Sequence, residues 1–221
     1  LASIRVWNGQ IAQGVPFCQP QNVWITSLRL VAAFLTRRRS EAKFAFNESK
    51  AVEALAFVAN EHPGFTPLFV SKVFFFAEKW HLNKYGRPII ADTYIAMPQG
   101  PVPSTIKNYI DQNWNWASPP DGINDAIVID RSGRLPKLMP GKRKSNFEIL
   151  STTDIQCLKD AIAFCADKDS DELSDITHFE KSWKEADPNQ PMAYENFVDD
   201  DNPNKKEIMG MLQENAAYGV L

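Results

Sequence analysis

Apolar positions change their spacing several times along the chain, and each change marks an element. Val52, Leu55, Ala56 and Ala59 recur at helical spacing behind Asn47, a good N-cap. His62-Pro63-Gly64 ends that helix, and Thr66-Pro67 reads as the cap and first position of the next. The second helix is expected to run from Pro67 to about Tyr85. Its polar residues Ser71, Lys72, Glu78 and Lys79 recur seven apart in one narrow stripe. The rest is large and apolar: Leu68, Phe69, Val70, Val73, Phe74, Phe75, Phe76 and Trp80. A helix apolar around most of its circumference belongs in the middle of a domain. Gly86 supplies a left-handed C-cap, and Pro88 prevents continuation.

Residues 87–104 read RPIIADTYIAMPQGPVPS, where four prolines and Gly100 predict an ordered, turn-rich segment. Asp92 is placed to cap a short apolar stretch from Thr93 to Met97. Pro103 or Ser104 opens another helix with Ile106, Tyr109 and Ile110 inward. Pro119-Pro120-Asp121-Gly122 breaks the chain. Residues 126–130 and 134–139 flank Arg131-Ser132-Gly133 and predict a β-hairpin. Ser151 to Asp154 carries a capping-box pattern, opening a helix with Ile155, Leu158, Ile162 and Cys165 on one side. Short helices follow near 171–177 and 178–186. Asp199-Asp200-Asp201 reads as a solvated acidic loop before a last helix, capped by Asn204 and striped by Ile208, Met211 and Leu212. The expected fold is mainly α: a compact helical domain over 43–221 with a small β-hairpin insert.

The head is different. Residues 1–42 lack steady periodicity and begin with Leu1, so the native start is missing or the frame was opened upstream. Ile25 to Leu35 is apolar like a signal-peptide core, but Arg37-Arg38-Arg39 follow it instead of preceding it, and no small-residue cleavage site is present. This head is expected to be an N-terminal appendage of doubtful order: translated upstream sequence, a tether, or a helix over 23–38 packed on the domain.

Composition narrows the class. At 221 residues, 44% hydrophobic and 23% charged, the chain is long enough to bury a core, and wholesale disorder, collagen and coiled coil are excluded. Three Cys without a CxxC support neither a disulfide framework nor a Cys-built zinc site, and fit a reducing cytoplasm. No apolar run reaches the length of a membrane span, so no membrane partner is expected. The net charge of −3 conceals a gradient. Residues 1–42 hold five Arg and one acid, whereas 167–221 hold 5 Lys against 14 acids. That polarity argues against uniform nucleic-acid binding; the acidic end is either a solvated face or complementary to a basic partner.

Chemical motifs are sparse. His62, His81 and His178 have no metal-binding spacing, and their plain reading is helix ends or buried hydrogen bonds. Cys157 and Cys165 share roughly one helix face as core fillers. No GxSxG elbow surrounds Ser104, and ten glycines leave little room for a phosphate loop. No cofactor is expected. An enzyme would need His81, Asp92 and His178 to converge in one pocket. A phage or plasmid regulator binding DNA would use the basic loop Lys137, Lys142, Arg143 and Lys144.

One stretch is specific. Val70 to Val102 contains Lys72 and Ala77 on a helix, then Gly86-Arg87-Pro88, Asp92, Ala96 and Gly100-Pro101-Val102. Downstream come Leu173-Ser174, Thr177-His178 and Trp183. Together with Trp80 and in this order, the set resembles the Panacea antitoxin family, the SocA-like antitoxins often found with phage and mobile elements. The resemblance covers about residues 44–215 and leaves the head unexplained. It implies a mainly α domain, not an enzyme, that neutralises a cognate protein toxin by binding it, in some relatives as an adaptor that delivers the toxin to a protease; a chaperone is a further partner class. No catalytic residues or cofactor come with it. The motif residues Lys72, Trp80, Gly86, Arg87, Pro88, Asp92, Ala96, Gly100, Pro101, Val102, Ser174, His178 and Trp183 are read either as fold-maintaining or as partner contacts. Physically, caps and fixed turns account for Gly86, Pro88, Pro101 and Asp92.

Overall fold

Asn47 starts the first helix as expected, because its side chain accepts the Lys50 amide at 3.0 Å and so satisfies one of the free donors of the opening turn. The computed structural model describes residues 44–114 and 118–218. The expectation about the head, residues 1–42, lies outside the described residues. Helix α1 is Glu48–Glu61 and α2 is Pro67–Tyr85. Thr66 precedes α2 with extended backbone but makes no side-chain cap bond, so Pro67 alone marks that start. At the far end Gly86 adopts φ 72°, and its amide closes onto the Leu82 carbonyl at 2.9 Å.

Strands β1 (Tyr94–Met97) and β2 (Gly100–Pro103) follow, then α3 (Ser104–Asp111) and α4 (Ile123–Ala126). A second hairpin is built from β3 (Ile127–Asp130) and β4 (Lys137–Pro140). Helices α5 (Thr152–Ala166), α6 (Ser170–His178) and α7 (Lys181–Lys184), a 3-10 turn (Tyr194–Phe197) and α8 (Lys205–Tyr218) complete the described part. The fold is mainly α, and the described residues form two antiparallel two-stranded sheets where one hairpin was expected. The hairpin at 126–139 pairs Ile127 with Pro140 through Asp130 with Lys137.

The additional hairpin corrects the reading of Thr93–Met97 as a capped stretch. Tyr94 pairs with Pro103 and Met97 with Gly100, leaving Pro98-Gln99 as the tip. Strand β2 is Gly-Pro-Val-Pro, and glycine and proline read as turn residues in a sequence. The free edge of β1 is closed by the 189–192 segment: Ala96 donates to the Gln190 carbonyl at 3.0 Å, and Asn189 to that of Ala96 at 2.8 Å.

Helix α2 lies at the centre. Val70, Val73, Phe74, Phe75, Phe76, Ala77 and Leu82 are all buried. Phe76 meets Phe164 of α5 edge-on at 4.8 Å, and Phe75 meets Phe197 at 5.4 Å. Each such ring, once fully buried, contributes about 1.5–3 kcal/mol from area alone, with a further increment for edge-on geometry. The polar stripe on α2 is also buried: Ser71, Lys72, Glu78 and Lys79 each lie under 10% exposed. It faces the hairpin and the C-terminal helices, so every one of its groups needs a partner inside the protein.

Candidate functional site

Three successive carbonyls of the β1–β2 turn are each taken by a motif side chain from a different helix. Trp183 of α7 donates its indole N–H to the Met97 carbonyl at 3.0 Å. His178, the last residue of α6, places Nε2 at 3.0 Å from the Pro98 carbonyl. A carbonyl only accepts, so that ring nitrogen carries the proton. Lys72 of α2 donates Nζ to the Gln99 carbonyl. The His178 and Trp183 rings pack on each other, centroids 4.2 Å apart. Pro98 and Gln99 remain exposed, so buried or half-buried groups clamp the backbone of a tip that faces solvent.

Lys72 is the deepest member. It is 1% exposed, and Nζ also reaches Thr177 Oγ1 at 2.9 Å. The Thr177 hydroxyl lies 3.0 Å from the carbonyls of both Leu173 and Ser174, and so donates back along its own helix while accepting from the lysine. The Ser174 hydroxyl in turn donates to the Ser170 carbonyl at 2.9 Å. Lys72 makes no ion pair among the described residues, and burial pushes its amine down to about 7. Lys79, two turns on, provides the contrast. Burial pulls it down too, but Asp199 at 2.8 Å and Glu180 at 2.6 Å outweigh that and raise it.

A second motif cluster closes the other end of α2. Asp154 completes the capping box of α5: Ser151 accepts from the Asp154 amide at 3.1 Å, and Asp154 accepts from the Ser151 amide at 3.0 Å. The same carboxylate receives Lys50 at 2.8 Å, Arg87 at 3.1 Å and the His81 ring at 3.1 Å. Burial pushes its carboxyl up, but the hydrogen bonds from His81, Lys50 and the Ser151 amide outweigh it and hold Asp154 well below the usual carboxylate range. Arg87 also bonds the carbonyl of Pro88 at 3.3 Å. The other nitrogen of His81 faces the Arg87 carbonyl at 2.8 Å.

Glu78 and Asp92 hold the backbone between these clusters. Glu78 accepts from three successive amides, Ile89 at 3.0 Å, Ile90 at 3.3 Å and Ala91 at 2.8 Å, which bends Ala91 into the left-handed region at φ 59°. Asp92 does not cap the residues that follow it as a helix. Its carboxylate accepts the Thr105 and Ile106 amides at 2.9 and 3.0 Å, capping α3 from a distance. Burial raises both carboxyls, with these amides opposing it. The Tyr194 hydroxyl stands between Glu78 Oε1 at 3.0 Å and the Asp92 carbonyl at 2.8 Å.

The remaining motif residues have plain positions. Ala96 is buried in β1, Trp80 is half-buried against Phe76 and Phe164, and a side chain at Gly86 would collide with Met211 of α8. Pro101 and Val102 line a groove of about 340 Å³ between the start of α2 and the hairpin, with Leu68, Met97, Pro98 and Lys72. Glu78, Asp154 and Tyr194 hold the site together without standing out as site residues in the sequence, whereas Thr177 stands in the family pattern beside His178. A recurring polar stripe on an otherwise apolar helix was the available signal for Glu78, and the capping box was the signal for Asp154.

The structure sends His81, Asp92 and His178 to different partners and joins none of them by a hydrogen bond. His178 ends a helix, where the sequence suggested a start. In the basic loop, Arg143 grips Glu53 with two bonds of 2.7 and 2.9 Å, leaving Lys142 and Lys144 exposed. The acidic loop is not simply solvated, because Asp199 pairs with Lys79 and Asp200 with Lys181 and Lys205. Cys157 and Cys165 are buried free thiols. No helix of the described residues is long and apolar enough to cross a membrane, and none of their His, Cys, Asp and Glu groups is placed to hold a metal.

Comparison with known proteins bears on the same residues. No curated protein and no solved structure matches the chain. The family model described as antitoxin SocA-like, Panacea domain, matches residues 70–184. That span is just over half of the chain and runs from the start of the Lys72 helix to the Trp183 helix. With the three clamping side chains all inside it, the chain belongs to the SocA-like antitoxins of the Panacea domain family.

Proposed function

We propose that this protein neutralises a cognate protein toxin by binding it directly, in the cytoplasm and without chemistry of its own. The observation that carries the reading is the clamped tip. Side chains from α2, α6 and α7 are spent on three consecutive carbonyls, and the outcome is a rigid, exposed Pro98-Gln99 loop. Pre-ordering a recognition loop lowers the entropy cost of association. His178, Trp183 and Asp92 are committed to backbone partners, holding a turn and a helix start, which suits a binding scaffold. Of the motif set, Lys72, Gly100, His178 and Trp183 shape the partner-facing tip, while Gly86, Arg87, Pro88 and Asp92 maintain the fold behind it.

The binding domain in this reading spans 43–221, with 1–42 as an appendage. A chain starting at Lys43 is expected to fold with undiminished cooperativity; an insoluble or molten product would place Trp24, Leu28, Val31 and Phe34 in the core instead. Co-expression with the product of the adjacent reading frame tests the function. Rescue of growth together with an isolable complex supports blocking. Rescue with a shortened toxin half-life, abolished in a protease-deficient host, supports delivery to a protease. Toxicity that this protein leaves untouched would sink the reading.

A further inference from the structure

The groove beside the clamp holds an unbalanced charge. Its walls are Leu68, Met97, Pro98, Pro101 and Val102, and its innermost lining residue is Lys72. Lys107 at the rim already pairs with Asp111. Among the described residues Lys72 has only neutral acceptors, the Gln99 carbonyl and the Thr177 hydroxyl. An ammonium removed from water without a counter-ion is costly, which is why buried lysines are normally paired. Lys79 on the same helix follows that rule with two carboxylates. An ammonium has three protons to donate, and two are accounted for.

Resting on the antitoxin reading above, we infer that this groove is where the toxin docks, through an apolar segment carrying an aspartate or glutamate whose carboxylate meets Lys72. The apolar walls suit a side chain or two of the partner, and the prolines on both sides keep them from collapsing. The partner's carboxylate supplies the charge that the described residues do not.

The charge state of Lys72 makes the inference measurable. Burial holds the free amine at about 7. A carboxylate brought beside it raises that value in the complex, so binding takes up a proton. Affinity is then full below pH 7 and falls about tenfold per pH unit above it, until the value in the complex is passed. The titratable groups that face this region from the neighbouring elements are Cys165 of α5, His178 of α6 and Lys107 of α3. Burial pushes the Cys165 thiol up to about 12, which keeps it neutral throughout.

The experiment uses the full chain and the product of the adjacent reading frame, with dissociation constants measured from pH 6.5 to 9. Wild-type affinity is expected to fall above pH 7, and Lys72→Met, if folded, to bind weakly with that part of the pH dependence gone. Leu68→Glu replaces no clamp residue and places a competing carboxylate in the groove; it is expected to weaken binding by about 30-fold. A folded Leu68→Glu protein that binds like wild type overturns the inference, as does a Lys72→Met protein with the wild-type pH profile. Failure of wild type to form any complex overturns the antitoxin reading and this inference together, whereas a normal complex indifferent to groove substitutions overturns this one alone.

Discussion

Gly100 is where it is because Lys72 fills the space its side chain would need. A Cβ there would overlap both the Lys72 ammonium nitrogen and the Thr177 hydroxyl, and the backbone stands at φ 99°. Positive φ and steric exclusion act at one position, so Gly100→Ala is expected to cost at least about 2 kcal/mol. Urea denaturation of the variant reads this directly. An unchanged midpoint would mean that the clamp has slack.

Lys72 makes stability depend on pH in an identifiable window. Its amine stands at about 7 in the folded protein against 10.5 for an unburied lysine. Between those values the unfolded chain binds more protons, so stability rises with pH there. Relative to Lys72→Met, wild type is expected to gain roughly 1.4 kcal/mol per pH unit above 7. Paired denaturation curves at pH 7, 8 and 9 check it, and a constant difference would place the amine elsewhere on the scale.

Asp154 acts at the opposite end of the scale. Burial alone would raise its carboxyl, but His81, Lys50 and the Ser151 amide hold it below 3.8. Its contribution is therefore complete above about pH 4 and is lost as pH falls toward its folded value. Asp154→Ala strands Lys50, His81 and Arg87 around an empty centre, and is expected to cost about 3–5 kcal/mol at neutral pH. It should also flatten the acid limb of the stability profile. A variant with wild-type acid sensitivity would show that other carboxylates set that limb.

The two aromatic residues of α2 should separate in a melt. Phe75 is fully buried and touches Phe76, Tyr94 and Phe197, whereas Trp80 is only half-buried. Phe75→Ala is expected to lose about 3–5 kcal/mol and Trp80→Ala distinctly less. Equal losses would make burial a poor guide to this core.

Function should follow the tip more than the acidic loop. Gln99→Arg alters an exposed side chain while leaving its carbonyl in the clamp. It is expected to weaken growth rescue with no change in melting temperature. Reversing Asp200 to Lys breaks its pairs with Lys181 and Lys205 and should act through folding of the C-terminal region. His81→Ala and Asp92→Ala should weaken rescue only as far as they weaken folding. Loss of rescue in either one, with normal melting and complex formation, would reopen a catalytic role.

Helix boundaries were the most legible part of the fold, because local groups enforce them. Asn47, Gly86, and Ser151 with Asp154 each satisfy donors or acceptors within a few residues of themselves. The hairpin at 127–140 was legible from apolar runs flanking a turn. The hairpin at 94–103 was not, because its glycine and prolines mark a turn without marking strands, and side chains far along the chain stabilise that turn. Lys72, His178 and Trp183 do so, the last two from 80 and 86 positions away. Asp92 misled for the same reason: a cap residue ordinarily serves its own helix, and this one serves amides 13 and 14 positions on.

The sequence by itself determined the mainly helical class, the central place of α2 and the order of the motif residues that mark the family. Those properties follow from side-chain periodicity and short-range hydrogen bonding, which one strand of text contains. Only the tertiary structure decided that the polar stripe of α2 is buried, that among the described residues Lys79 has two carboxylates while Lys72 has none, and that three distant side chains meet three adjacent carbonyls. Hydrogen-bond satisfaction and charge balance in the interior are set by which elements lie opposite each other, and spacing along the chain does not encode that.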